Sequence, residues 1–135
     1  MATLNPYLSF DGTAAAAMAF YQSVLGGELT SSSFGEFGMS DDPDQVDQVM
    51  HAQLETPDGF TLMAADVPAG MPFTVGTNVA VSLSGDDEQQ LRGWFEALAE
   101  GGTITVPFEP APWGDTFGML VDPFGIGWLV NAAGS

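Results

Sequence analysis

The sequence predicts an α+β fold built from two tandem β-α-β-β-β modules, and three observations carry that prediction. First, Phe20 and Phe95 lie 75 positions apart, and the pairs Gly26-Gly27 and Gly101-Gly102 keep the same offset. Second, Leu8-Ser9 and Leu83-Ser84 repeat at that offset too. Third, two turn sequences, Thr56-Pro57-Asp58-Gly59 and Asp122-Pro123-Phe124-Gly125, recur at an offset of 66. An internal period of this kind marks a duplicated supersecondary unit.

Each module then runs through the same order. An apolar alternating stretch opens it, Leu4 to Phe10 and Val79 to Leu83. Acidic cap candidates follow, Asp11-Gly12-Thr13 and Asp86-Asp87, where a side-chain oxygen can satisfy the first free amides of a helix. Helix one is predicted to bury Ala17, Phe20 and Val24, and helix two Leu91, Phe95 and Leu98 with Trp94 beside them. Both end at Gly-Gly, as expected where the residue after a helix takes a positive φ. A hairpin closes each module, its turn supplied with Pro and Gly. The drop from 75 to 66 makes the first module nine residues longer between helix and hairpin, an excess assigned to the polar segment Gly38 to Gln48. Module one is placed at residues 1–66, a linker at 67–76 and module two at 77–135, within one domain of ordinary size.

Composition removes several functions. Eighteen Asp and Glu stand against one Arg and no Lys, a net charge of −17. A nucleic-acid backbone or an anionic membrane surface would be repelled, and a cationic small molecule attracted. Arg92 has Glu88 four residues before it and Glu96 four after, a surface ion-pair spacing, which leaves no cation to clamp a phosphate. There is no cysteine, so disulfides and thiolate chemistry are out, and the one histidine limits a soft-metal site. No leader or membrane span is expected, and the reading is a cytoplasmic protein. A dinucleotide loop, a P-loop and a Gly-x-Ser-x-Gly elbow are all absent.

The stretch from Val49 to Thr56 holds the main site candidates. His51, Gln53 and Glu55 alternate with Met50, Ala52 and Leu54, so a strand would put the polar three on one face. His51 is the candidate general base. Trp113, held between Pro112 and Gly114, could present its indole to a ligand or cover a sheet edge. Phe34, Phe37 and Met39, with Met71-Pro72-Phe73, border the two long loops as lid or interface candidates.

Leu4-Asn5-Pro6-Tyr7-Leu8-Ser9-Phe10, Phe20-Tyr21-Gln22-Ser23-Val24-Leu25-Gly26 and Asp122-Pro123-Phe124-Gly125-Ile126-Gly127-Trp128 resemble the vicinal oxygen chelate superfamily of glyoxalases, extradiol dioxygenases and bleomycin-resistance proteins. Trp94-Phe95, Trp113-Gly114 and Phe117-Gly118 narrow the resemblance to the PhnB-like branch, whose members carry a demethylubiquinone methyltransferase-like label. The resemblance implies curved mixed sheets around a cup that holds a small molecule, helices on the outer faces, and a homodimer. It also implies metal ligands on the first and last strands of each module. Those positions fall here on Pro6, on Val79 to Val81, on Met63 and on Leu129, none of which offers a hard oxygen or an imidazole. Met63 and Leu129 thereby become ligand-lining candidates beside His51, Gln53, Glu55 and Trp113, and no cofactor is expected. Three readings stay open: a metal-free small-molecule binding domain, a metal-dependent lyase, isomerase or dioxygenase, and a dimeric interaction module.

Overall fold

A computed structural model describes residues 2–36, 38, 43, 45–68 and 70–134. The chain divides into two compact units, Met1–Thr74 and Val75–Ser135.

In the first unit, β1 (Tyr7–Phe10), α1 (Ala14–Leu25), β2 (Glu28–Ser33), β3 (Val49–Glu55) and β4 (Thr61–Asp66) follow in order. They form a mixed sheet in the order β1-β4-β3-β2, with β1 parallel to β4 and the other pairs antiparallel. The second unit repeats this with β5 (Val81–Gly85), α2 (Glu88–Ala99), β6 (Thr103–Pro110), β7 (Thr116–Val121) and β8 (Gly127–Ala132). Its sheet runs β5-β8-β7-β6, with β5 parallel to β8. The fold is the predicted α+β duplication. The opening strands start later than the apolar runs suggested, because pairing begins only at Tyr7 and at Val81.

One face of each sheet is covered by that unit's helix. Alternation puts Leu8, Phe10, Ala52, Leu54, Leu62 and Ala64 on the covered face of the first sheet, and all are buried. Against them α1 buries Ala14, Ala17, Met18, Tyr21 and Leu25. This corrects the predicted stripe, since Phe20 and Val24 are only half-buried. Three further small residues in the first turns made the two apolar stripes hard to separate by spacing alone. In α2 the predicted Leu91, Phe95 and Leu98 are the buried set. They lie over Gly118 of β7, where an added Cβ would meet Phe108 Cα and Phe95 Cε2, each at 2.8 Å.

The helix starts differ between the units. Asp87 caps α2 as predicted, its carboxylate accepting from Gln90 N at 3.1 Å. For α1 the expected Asp11-to-Thr13 cap is not made: Thr13 has no side-chain capping bond. Buried Asp66, at the end of β4, supplies it from across the sheet. Its carboxylate accepts from Ala14 N at 3.0 Å and, through the other oxygen, from Val49 N at 2.9 Å. One side chain thus joins the start of α1, the start of β3 and the end of β4.

The repeated Gly-Gly has two separate causes. Gly26 and Gly101 take positive φ (76° and 80°) as the helices end. Gly27 and Gly102 are pressed against the neighbouring strand, where an added Cβ would land on the carbonyl oxygens of Glu55 and Val121. The hairpin turns also repeat. Thr56 Oγ1 accepts from Phe60 N at 3.0 Å, and Asp122 Oδ1 accepts from Ile126 N at 3.1 Å. Asp122 goes further, its other oxygen taking the Trp128 indole N–H at 2.8 Å in the buried core.

Candidate functional site

The face of the first sheet turned away from α1 is polar. Strand register lines up Tyr7 with Met63, Met63 with Gln53, and Gln53 with Thr30, a row across all four strands. One step along, Ser9 faces Ala65, and His51 faces Ser32. The rings of Tyr7 and His51 approach to 6.2 Å between centroids, tilted by 31°. Met63, Gln53 and His51 are half-buried, while Tyr7 is 54% exposed. A phenol, an imidazole, an amide and a thioether therefore share one patch, offering hydrogen-bond donors and acceptors around an apolar centre.

At one end of this face, Glu55 is in register with both Thr61 and Glu28. Both glutamates are exposed. Like charges directly opposite on neighbouring strands repel, so this end of the sheet favours a cation nearby.

Of the expected site residues, His51, Gln53, Glu55 and Met63 are brought together here, and Ala52 and Leu54 take the opposite face as predicted, whereas the β2–β3 register skips half-buried Met50 and Val49 is the buried residue at that end of the strand. Trp113 and Leu129 belong to the second unit. There, Ser82, Leu129, Met119 and Val106 form the row equivalent to Tyr7, Met63, Gln53 and Thr30. Trp113 lies in the turn before β7, is 62% exposed, and meets Phe117 edge-on at 5.4 Å. Phe117 shares the Leu129 face, two residues from Met119 on β7. Asp115 anchors this turn to β8 and the chain beyond it, accepting from Asn131 Nδ2 at 3.1 Å and Gly134 N at 2.8 Å. Those two bonds, the Gly134 amide first, hold its carboxyl below the ordinary 3.8. The duplicated faces have thus diverged: Tyr7, His51 and Gln53 in one stand where Ser82, Phe117 and Met119 stand in the other.

Two candidates move. Phe34 is buried at 4% exposure, so it packs in the core of its unit; Phe37 and Met39 lie outside the described residues. Arg92 pairs with Glu88 at 3.7 Å and also lies over the Phe108 ring at 4.9 Å, donating to the Phe108 carbonyl at 3.4 Å. Glu88 in turn accepts from Thr116 Oγ1 at 2.8 Å, so the lone Arg fastens α2 to its own sheet.

Sequence reasoning did not single out Tyr7, which shares the polar face of the first sheet with Met63 and His51. Counting placed the first-strand site position on Pro6, whereas the residue in register with Met63 is Tyr7; the residue in register with Leu129 is Ser82, not one of Val79 to Val81. The signal was present in the alternation of Tyr7 and Ser9 with buried Leu8 and Phe10.

A scan of family models matches residues 3–130 to the Glyoxalase/Bleomycin resistance protein/Dioxygenase superfamily. The chain belongs to this superfamily. Protein YjdN of Escherichia coli (strain K12) is 30% identical over 95% of this chain and 93% of its own length. Among solved structures, protein PA1353 from Pseudomonas aeruginosa is 36% identical, with a TM-score of 0.84 over the whole of both chains. A Bacillus cereus structure described as a putative 3-demethylubiquinone-9 3-methyltransferase, PhnB protein, is 25% identical with a TM-score of 0.75, covering 98% of this chain and 100% of its own.

The resemblance implies a divalent metal held by side chains on the first and last strands of each module. The register offers Tyr7 and Met63 in one unit, Ser82 and Leu129 in the other. A thioether and an alkyl chain are poor partners for a hard or borderline ion. No group of three His, Asp or Glu side chains able to hold a metal occurs among the described residues. These residues do not fit the group.

Proposed function

We propose that this superfamily member binds a small cationic molecule against the polar face of its first sheet, without a divalent metal in the contact. The observation that carries the proposal is the row Tyr7–Met63–Gln53 with the His51 ring beside Tyr7. Half-buried polar groups around an apolar centre are the usual lining of a small-molecule site. Tyr7 offers an aromatic face for a cation, Gln53 and His51 offer directional hydrogen bonds, and Met63 adapts to an irregular apolar outline. Two features support a cation: the Glu28–Glu55 pairing at the end of the same face, and a net charge of −17 that raises cation encounter rates at low ionic strength.

A second reading, acid–base chemistry by His51, is favoured by its place beside the Tyr7 phenol. Imidazole changes protonation near neutral pH, and the phenol provides a neighbouring donor or acceptor. A methyltransferase role, suggested by the description of the Bacillus cereus protein, draws no support from motifs in this chain.

The test is equilibrium binding of benzylamine, phenethylamine and tryptamine to EDTA-treated protein, at low and high salt, with calcium as a control for diffuse attraction. The proposal expects saturable binding to at least one amine, weakened about tenfold or more by Gln53→Ala or Glu55→Gln, given what a charge-assisted hydrogen bond contributes. Amine binding no stronger than the calcium control, together with tight binding of one transition metal lost in His51→Ala, would overturn it in favour of a metal-dependent enzyme.

A further inference from the structure

His51 is the one histidine of a chain without cysteine or lysine. Imidazole is the side chain that changes charge between about pH 5 and 8, a window in which carboxylates stay ionised and aliphatic amines stay protonated. Apart from the α-amino group, no other group type in this sequence ordinarily titrates there. Where that one imidazole sits then decides how the molecule answers to pH near neutrality.

It sits half-buried within the polar face of the first sheet, its ring centroid 6.2 Å from that of Tyr7. The ladder between β2 and β3 shifts register between Ser32 and Ser33, beside His51. A bulge of this kind re-aims the side chain next to it. Val49 N, two residues away, donates to the Asp66 carboxylate at 2.9 Å, which ties the irregular backbone down.

The neighbours of His51 do not change charge in the same window. β1 presents Tyr7 and uncharged Ser9, and β4 presents Met63 and Ala65. β2 presents Ser32 and Thr30, with Glu28 at the far end, where it faces Glu55 of β3. Asp66 is buried and bonded to Ala14 N and Val49 N, and Glu36 and Asp47, between β2 and β3, are exposed. Phenols and carboxylates ordinarily titrate outside this range.

We propose that protonation of His51 closes the amine site, so that a cation binds at neutral and higher pH and is released as pH falls through the imidazole range. This gate rests on the amine site proposed above. Neutral imidazole offers an ammonium group an acceptor nitrogen, whereas imidazolium has only donors. Protonation also sets a second positive charge against the ligand. Two unit charges about 6 Å apart repel enough to weaken binding roughly threefold at the dielectric constant of water and about a hundredfold at that of a protein surface. By linkage, the bound amine opposes protonation of the imidazole by the same factor.

The test is binding of benzylamine, phenethylamine and tryptamine from about pH 5.5 to about pH 8 at fixed ionic strength, across the imidazole range. The dissociation constant of an amine that binds should rise about tenfold on the acid side. The ring signals of the single histidine, followed by NMR, should titrate at lower pH in saturating amine than without it. His51→Gln should remove the pH step whatever its affinity. Glu55→Gln, which weakens binding throughout, should keep it. Circular dichroism at each pH checks the fold. Saturable binding that stays flat across the window, or an equal step in His51→Gln, overturns the gate and leaves the amine site standing. No saturable binding at any pH overturns both.

Discussion

Replacing Asp66 by Ala should destabilise the first unit more than any cap substitution in the second. Asp66 is 2% exposed, and its two carboxylate oxygens accept from Ala14 N and Val49 N at 3.0 and 2.9 Å. Hydrogen bonds to a charged acceptor contribute about 1.5–3 kcal/mol each. Losing both, with two buried N–H groups left without a partner, costs about 3–6 kcal/mol, a large share of the roughly 5–15 kcal/mol typical of a folded protein. Asp66→Asn keeps one acceptor oxygen and turns an amide N–H toward the other donor, so it should cost about half as much. Asp87→Ala removes an exposed cap with a single bond to Gln90 N and should cost about 1 kcal/mol. Urea unfolding of all three variants, followed by circular dichroism, gives the comparison at constant slope. The reasoning is refuted if Asp66→Ala costs no more than Asp87→Ala, for then the cross-sheet cap is not what holds α1.

Glycine substitutions should act with opposite signs. Gly118→Ala forces a Cβ against Phe108 Cα and Phe95 Cε2 and should cost about 1–3 kcal/mol, whereas Gly93→Ala, in α2 with nothing within 4 Å of the added carbon, should stabilise by about 0.8–1 kcal/mol; thermal unfolding reads both. Trp128→Phe removes the buried indole bond to Asp122 and should cost about 1.5–3 kcal/mol in the same assay. Asp115 has a folded pKa below its ordinary 3.8, so its contribution to stability is present above that value and is lost as pH falls through the folded pKa. Acid unfolding of Asp115→Asn should therefore show a shallower loss of stability below about pH 4 than the parent protein.

The duplication was legible because its markers answer to backbone constraints. Gly26 and Gly101 need positive φ, Gly27 and Gly102 need room beside a strand, and the hairpin turns need Pro and Gly; all are local demands that a sequence records. The polar face of β3 was legible from period two alone. What escaped were features set by pairing between distant segments. The Asp66 cap joins residues 52 positions apart, and no local pattern announces it. The place of Tyr7 on the polar face beside Met63 follows from the parallel register of β1 and β4, one step beyond the counted Pro6. The helix α1 stripe was misread because Ala14 to Ala17 fit either side of the helix, and the sheet chose Met18, Tyr21 and Leu25 over Phe20 and Val24.

Proton–carbon NMR of metal-stripped protein, titrated with the amine that binds best, distinguishes a ligand on the polar face of the first sheet from metal binding. Saturable shifts of the Met63 methyl and His51 ring signals are expected, while the methyl of Met18, which α1 buries against the opposite face of the same sheet, stays in place. Shifts of Met18 equal to those of Met63, or a response of His51 only when a transition metal is added, would contradict a ligand on that face.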